Sequence, residues 1–134
     1  MFEIGKKYNR QQDLHDKYGG NRQSGIAPCA NNPYVFLFTS PRGEEYGYED
    51  TWENESIFRY SSEGQYGDME LERGNLAIKN HKNDGRDLFL FNKVKSGEYE
   101  FIGKFEYISH EMKLGVDFDK VNRRTIVFKL HLVN

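Results

Sequence analysis

Between residues 97 and 108 the chain alternates, with Tyr99, Phe101, Phe105 and Tyr107 at every second position and Glu100, Lys104 and Glu106 between them. Successive side chains of a β-strand point to opposite faces, so this pattern gives one apolar face and one wet face. A helix would scatter the same residues around its circumference. The end of the chain repeats the pattern: Ile126, Phe128, Leu130 and Leu132 alternate with Val127, Lys129, His131 and Val133. Segments 86–94 and 33–39 are also strands by their β-branched and aromatic content, the latter apolar on both faces as a central strand would be. One helix is expected, with Asn75 as N-cap before Leu76, Ala77 and Ile78, Lys79 and Lys82 toward its end, and Gly85 placed to close it. The first thirty residues are polar and broken by Gly19, Gly20, Gly25 and Pro28. Residues 1–20 are expected as a peripheral N-terminal segment with one short helix near 9–18. The 134 residues fit one domain of the usual ~100 to 150. The expected fold is mainly β (α+β), a single curved antiparallel β-barrel with one or two short helices.

Charge and composition exclude several function classes. Nineteen Lys and Arg against 21 Asp and Glu give a formal charge of -2, so no overall basic excess points to nucleic acid. The charge is uneven: residues 1–40 carry five basic and three acidic side chains, 41–74 three and ten, and 75–134 eleven and eight. The middle is an acidic island between mildly basic flanks. No apolar run approaches the ~20 residues of a spanning helix, and the start of the chain lacks the apolar core of a signal peptide. A soluble, cytoplasmic chain without membrane contact is expected. The lone Cys29 excludes an internal disulfide and a multi-cysteine zinc site. His15, His81, His110 and His131 have no metal-ligand spacing, so neither metal nor cofactor is expected. Asn80-His81 with Asn83 shares residue types with an HNH nuclease but lacks that motif's further histidine and acid ligands. Glu44/Glu45 and Glu49/Asp50 are adjacent pairs, which face opposite sides of a strand rather than one catalytic cleft.

The segment from 39 to 69 carries most of the chemistry. If 47–52 is extended, Tyr48, Asp50 and Trp52 point to one side, two aromatics flanking a carboxylate. A second extended stretch, Ile57–Ser61, places Phe58 and Tyr60 on one face beside the hydroxyls of Ser61 and Ser62. Aromatic faces stack on a flat polar ring, and a carboxylate accepts hydrogen bonds from its edge. Cytosine, with an exocyclic amine to donate, suits such a set. Core packing and a solvated acidic loop would account equally for the spacing alone.

The run Gly47-Tyr48-Glu49-Asp50, followed by Phe58-Arg59-Tyr60-Ser61-Ser62-Glu63-Gly64, resembles the signature of the SET- and RING-associated (SRA) domain. Four motifs in order are similar to the SRA-like domain of McrA-type HNH endonucleases that cut modified DNA. They are Arg22-Gln23-Ser24-Gly25-Ile26, Tyr46-Gly47-Tyr48-Glu49-Asp50-Thr51-Trp52, Tyr60-Ser61-Ser62-Glu63-Gly64-Gln65-Tyr66-Gly67-Asp68 and Gly74-Asn75-Leu76-Ala77-Ile78. The resemblance covers roughly residues 20–133.

It implies a PUA-like barrel that flips a modified cytosine, 5-methylcytosine or 5-hydroxymethylcytosine, out of duplex DNA. Carried over by residue, Tyr48 and Tyr60 would be the stacking pair and Ser61 would stand at a pocket threonine. The backbone near Gly47 would line the wall. Asp50, supported by its spacing to Trp52, would read the cytosine edge, although eukaryotic members carry that acid at the position of Thr51. Arg22, Gln23, Arg42, Lys79 and Lys82 are candidates for the DNA backbone. The implied partner is double-stranded DNA carrying modified cytosine, with a nuclease domain or subunit as a possible associate in modification-dependent restriction. The chain itself would be a binding module rather than an enzyme. Two other classes stay open: an enzyme acting on a modified nucleobase in the same pocket, and a protein-interaction barrel using the acidic island.

Overall fold

The computed structural model describes residues 1–40, 50–62, 72–116 and 119–133. In chain order the elements are β1 (Lys7–Asn9), a π-helical stretch Arg10–His15 that runs into α1 (Asp16–Tyr18), β2 (Ile26–Pro28) and β3 (Tyr34–Thr39). There follow β4 (Thr51–Trp52), β5 (Ile57–Ser61), α2 (Arg73–Lys79), β6 (Asp87–Lys95), β7 (Glu98–Val116) and β8 (Asn122–Leu132). They form one sheet in the order β2-β3-β6-β7-β8-β5-β4, with β1 paired to β7. The expected mainly β fold with two short helices is present. Among the described residues the strand path is open, its ends at β2 and β4. One pair departs from the expected antiparallel pattern: β3 and β6 run parallel, Tyr34 opposite Asp87 through Thr39 opposite Asn92. Parallel neighbours need a long crossover, and here β4, β5 and α2 supply it.

Alternation along the central strands divides the core in two. Val35 and Leu37 of β3 and Leu88 and Leu90 of β6 pack on one face with Phe105, Phe128 and Ile78 of α2. Phe36, Phe38, Phe89 and Phe91 point the other way and pack with Tyr99 and Phe101. Tyr99, Phe101 and Phe105 therefore do not share one face, although their spacing predicts it. The cause is a bulge: Leu90 lies opposite Gly103 and Phe91 opposite Phe101, so Ile102 is an extra residue in β7. One inserted residue shifts the pleat by half a period, so side chains on either side of it face opposite ways.

The first twenty residues are not peripheral. Tyr8 and Leu14 are buried in the second core, and Phe2 packs against it. The Phe2 ring lies 5.3 Å from Tyr8 and Phe89 and 5.4 Å from Phe91 and Phe101. The helical stretch lies within the expected range, with the Asn9 side chain accepting from Gln12 N.

The second helix starts earlier than its sequence signal. Its N-cap is Glu72, without a side-chain cap bond, and Asn75 is buried inside the helix. His81, just beyond α2, ties this helix to the sheet. Its Nδ1–H donates to the Arg86 carbonyl at 2.8 Å, while Nε2 accepts from Tyr107 N at 2.9 Å. Burial is the main cause that lowers its pKa below the usual 6.5, because a protonated ring has no lone pair for Tyr107 N–H and would carry charge into the core. His81→Ala is expected to cost about 2 kcal/mol by leaving both partners unpaired, measured as a lower urea midpoint at pH 8. The native contribution of this ring is complete above pH 6.5 and is lost as pH falls below it.

Candidate nucleic-acid interface

Two strand ends bring the site together. Thr39 closes β3 and Ser61 closes β5, and Asp50, immediately before β4, sits between them. Thr39 Oγ1 donates to Asp50 Oδ2 at 2.6 Å and Ser61 N donates to Asp50 Oδ1 at 2.7 Å. Enclosure raises the Asp50 pKa from 3.8 to about 6, with burial outweighing the hydrogen bonds from Thr39 and Ser61 that favour the charged form. Each carboxylate oxygen retains acceptor capacity after these bonds.

Asp50 lines a cavity of about 320 Å³ with Thr39, Ser40, Thr51, Trp52, Phe58, Asn92 and Ile102. The size falls in the ~300–1,000 Å³ range of small-ligand sites. Register explains its aromatic wall: Trp52 pairs directly with Phe58 across β4 and β5, and their rings meet edge to face at 5.3 Å. Asp50 and Trp52 thus share a site, as the i, i+2 spacing predicts. Trp52 is the more exposed of the two rings, at 41 % against 6 % for Phe58.

Tyr60 is placed differently from an open stacking platform. Its ring is 2 % exposed within the first core. Its hydroxyl lies 2.9 Å from the Gly25 carbonyl and 3.0 Å from the Phe38 carbonyl, sharing one proton between them. A base that stacks on Tyr60 must displace the group now covering its face. Ser61, also buried, contributes its backbone N–H to Asp50. Tyr48, Gly47 and Arg42 lie outside the described residues.

Of the backbone-contact candidates, Arg22 and Gln23 are exposed on a tight loop. Asn21 Oδ1 accepts from Gln23 N at 2.7 Å and Ser24 N at 3.0 Å, an Asx turn that presents both side chains outward. Across from this loop stands α2. Asn21, Ser24, Arg73, Asn80, Asp84 and Arg86 line the groove between them, which has a volume of about 550 Å³. Lys79 is exposed at the end of the helix, but Lys82 is held by Glu106 at 3.0 Å. Arg73 and Arg86 were missed by sequence reasoning. Arg73 sits in the left-handed region at φ 49, which no composition signal marks in a non-glycine residue.

The remaining reactive side chains have structural settings. Cys29 is buried and its thiol is pushed up to about 11 by burial. Among the described residues no group of His, Cys, Asp and Glu is arranged to hold a metal ion, and no helix is long and apolar enough to cross a membrane.

Residues 4–134 match the family described as ScoMcrA-like, SRA domain. The chain belongs to this SRA family. Similar solved structures include the sulfur-binding and SRA domains of ScoMcrA complexed with phosphorothioated DNA, at 24% identity and TM-score 0.77, covering 99% of this chain and 40% of that one. The type IV phosphorothioation-dependent restriction endonuclease ScoMcrA has 22% identity and TM-score 0.77, with 99% and 28% covered. The SUVH5 SRA complex with fully methylated CG DNA has 21% identity and TM-score 0.70, with 98% and 88% covered. This SRA chain therefore spans well under half of the ScoMcrA chains and nearly all of the SUVH5 one. No curated protein matches it. Asp50, Tyr60 and Ser61 stand around the end of β5 while Trp52 lies opposite Phe58 nearer its start, and the loop bearing Arg22 and Gln23 is bonded to that region through Tyr60.

Proposed function

We propose that this SRA domain is a binding module for modified cytosine in duplex DNA, which it flips into the pocket around Asp50. The observation that carries the reading is the carboxylate held between two strand ends at an aromatic-walled cavity. Cytosine offers an N4 amine that donates and an N3 that accepts. An ionised carboxylate satisfies only the first. A carboxyl that titrates near pH 6 can hold a proton when the base arrives, accepting from N4–H and donating to N3. Tyr48 is the proposed stacking surface, joined by Tyr60 once the group now covering its ring is displaced; Trp52 lies at the pocket edge, and Ser61 and the Gly47 backbone are the proposed remaining wall.

The energies are compatible. Extrusion costs a few kcal/mol of lost stacking and pairing, and each base-aromatic stack returns about 1 to 3 kcal/mol. A C5 methyl adds about 0.8 kcal/mol of apolar burial. Arg22, Gln23, Arg42 and Lys79 are the proposed phosphate contacts. Lys82 is the weakest of that set because Glu106 already neutralises it. Recruitment of a nuclease domain or subunit is the matching biological role, and the cytoplasm its setting.

A second reading comes from the ScoMcrA complex with phosphorothioated DNA: the domain would favour a sulfur-bearing backbone rather than a modified base. Base extrusion separates the two. A duplex carrying 2-aminopurine beside 5-methylcytosine is expected to brighten on saturation, since losing the neighbouring stack relieves quenching. Saturation without a change in fluorescence would overturn base flipping.

A further inference from the structure

We infer that Arg10 is a positioning residue that sets the DNA-contacting loop at 21–24 and, through it, couples the N-terminal segment to the pocket. The inference rests on the DNA-binding reading above. Arg10 Nη2 donates to the Asn21 carbonyl at 3.0 Å and to the Ser24 carbonyl at 2.6 Å, the two ends of the turn that bears Arg22 and Gln23. Its Nε donates to His15 Nε2 at 2.9 Å. The guanidinium carbon lies 3.7 Å from the centre of the Phe38 ring and 5.8 Å from that of Tyr99. The group is thus fixed from three sides, one terminal nitrogen bridging the two loop carbonyls while Nε is turned to His15.

The surroundings favour this geometry in only one arrangement. His15 Nδ1–H donates to the Gly19 carbonyl at 2.8 Å, which leaves Nε2 as the acceptor that Arg10 needs. Gly20, at φ +89, turns the chain back over this pair. A Cβ there would come within 3.4 Å of both His15 Nδ1 and Ala27.

The far end of the loop is pinned as well. The Gly25 carbonyl accepts from Phe38 N at 2.8 Å and from the Tyr60 hydroxyl at 2.9 Å. Tyr60 precedes Ser61, whose N–H holds Asp50. A continuous set of bonds therefore runs from Arg10 through the loop to the carboxylate. Lysine cannot replace Arg10 here, because one ammonium lacks the fork that reaches two carbonyls, an imidazole and an aromatic face together.

A double-mutant cycle tests this. Arg10→Met keeps much of the side-chain volume and removes the donors. It is expected to weaken binding to a 5-methylcytosine duplex roughly tenfold in the wild-type loop, and less than about threefold once Arg22→Ala and Gln23→Ala have removed what the loop presents. Arg10→Lys is expected to fall between. Amide exchange at Gln23 and Ser24 should quicken in Arg10→Met while exchange in β6 and β7 stays unchanged.

An equal loss in both loop backgrounds would overturn the inference, since general destabilisation acts regardless of the loop. Unchanged binding, or unchanged amide exchange in a folded Arg10→Met, would overturn it too. If the wild type binds no duplex, the functional reading fails and the DNA role of Arg10 with it. In that event the amide exchange still decides whether Arg10 holds the loop.

Discussion

Asp50→Asn is expected to gain stability over the wild type as pH rises, by about 3 kcal/mol between pH 3.5 and pH 8. The sign comes from the raised pKa of about 6 against 3.8 in an unfolded chain. Below 3.8 the carboxyl is protonated in both states and costs nothing. Between 3.8 and 6 the unfolded chain releases a proton that the folded chain retains, so stability falls with rising pH. Above 6 the folded state carries the full cost of an enclosed charge. Asparagine keeps an oxygen for Ser61 N–H, and the Thr39 hydroxyl can rotate to accept from the amide. The substitution therefore removes the titration with little loss of contact. The difference between variant and wild type isolates this group from His81, which acts in the opposite direction. Chemical denaturation of both proteins across this pH range measures it. A difference independent of pH would contradict the enclosed-carboxylate description.

The largest single loss of stability is expected at Phe36. Its side chain is fully buried in β3 and packs near Phe91 at 5.8 Å, Phe2 at 6.0 Å and Tyr18 at 6.1 Å. Phe36→Ala should cost about 3 to 5 kcal/mol, from lost transfer free energy and a cavity that the rigid central strands cannot close. Leu114, 84 % exposed, provides the comparison. Leu114→Ala should change stability by less than about 0.5 kcal/mol. Comparable losses at the two positions would contradict the division between core and surface.

The same contrast shows what the sequence could convey. Strand existence was legible because alternation leaves a local imprint, as in β5, and because β-branched and aromatic runs mark strands buried on both faces, as in β3 and β6. The bulge at Ile102 was not. It preserves the spacing of Tyr99, Phe101 and Phe105 in the sequence while sending them to different faces, and only the register of β6 against β7 reveals it. The parallel pairing of β3 with β6 was hidden for a similar reason, since strands 53 residues apart carry no local mark of direction. Phe2, Tyr8 and Leu14 are too widely spaced to form a periodic signal, so the N-terminal segment looked polar although its few apolar residues enter the second core.

The candidate site shows the same limits. Asp50 and Trp52 were legible from strand spacing and from the SRA motifs. The exclusion of Tyr60 from the surface was not, because its partners are the carbonyls of Gly25, just before β2, and of Phe38 in β3. Arg10 and Thr39 were missed for the same reason: their roles depend on backbone groups and on a carboxylate brought close by the fold. Charge along the chain was a weak guide. Within the acidic island, Asp50 is capped by Thr39 and Ser61, and Glu53 is engaged by Arg59 at 3.6 Å and Lys129 at 3.3 Å. Glu53 is thus neutralised by two cations, whereas Asp50 is held by neutral donors.

The central claim is recognition of a modified base, and equilibrium titration of matched duplexes addresses it most directly. Four duplexes differing only in cytosine, 5-methylcytosine, 5-hydroxymethylcytosine or one phosphorothioate linkage should be titrated at one fixed salt concentration, since backbone contacts make affinity strongly salt-dependent. Wild type and Tyr48→Ala are compared. The account predicts tighter binding to 5-methylcytosine than to cytosine, by about fourfold from the methyl group alone, with the preference lost in Tyr48→Ala. Equal affinity for all four duplexes, or a preference confined to the phosphorothioate, would contradict it.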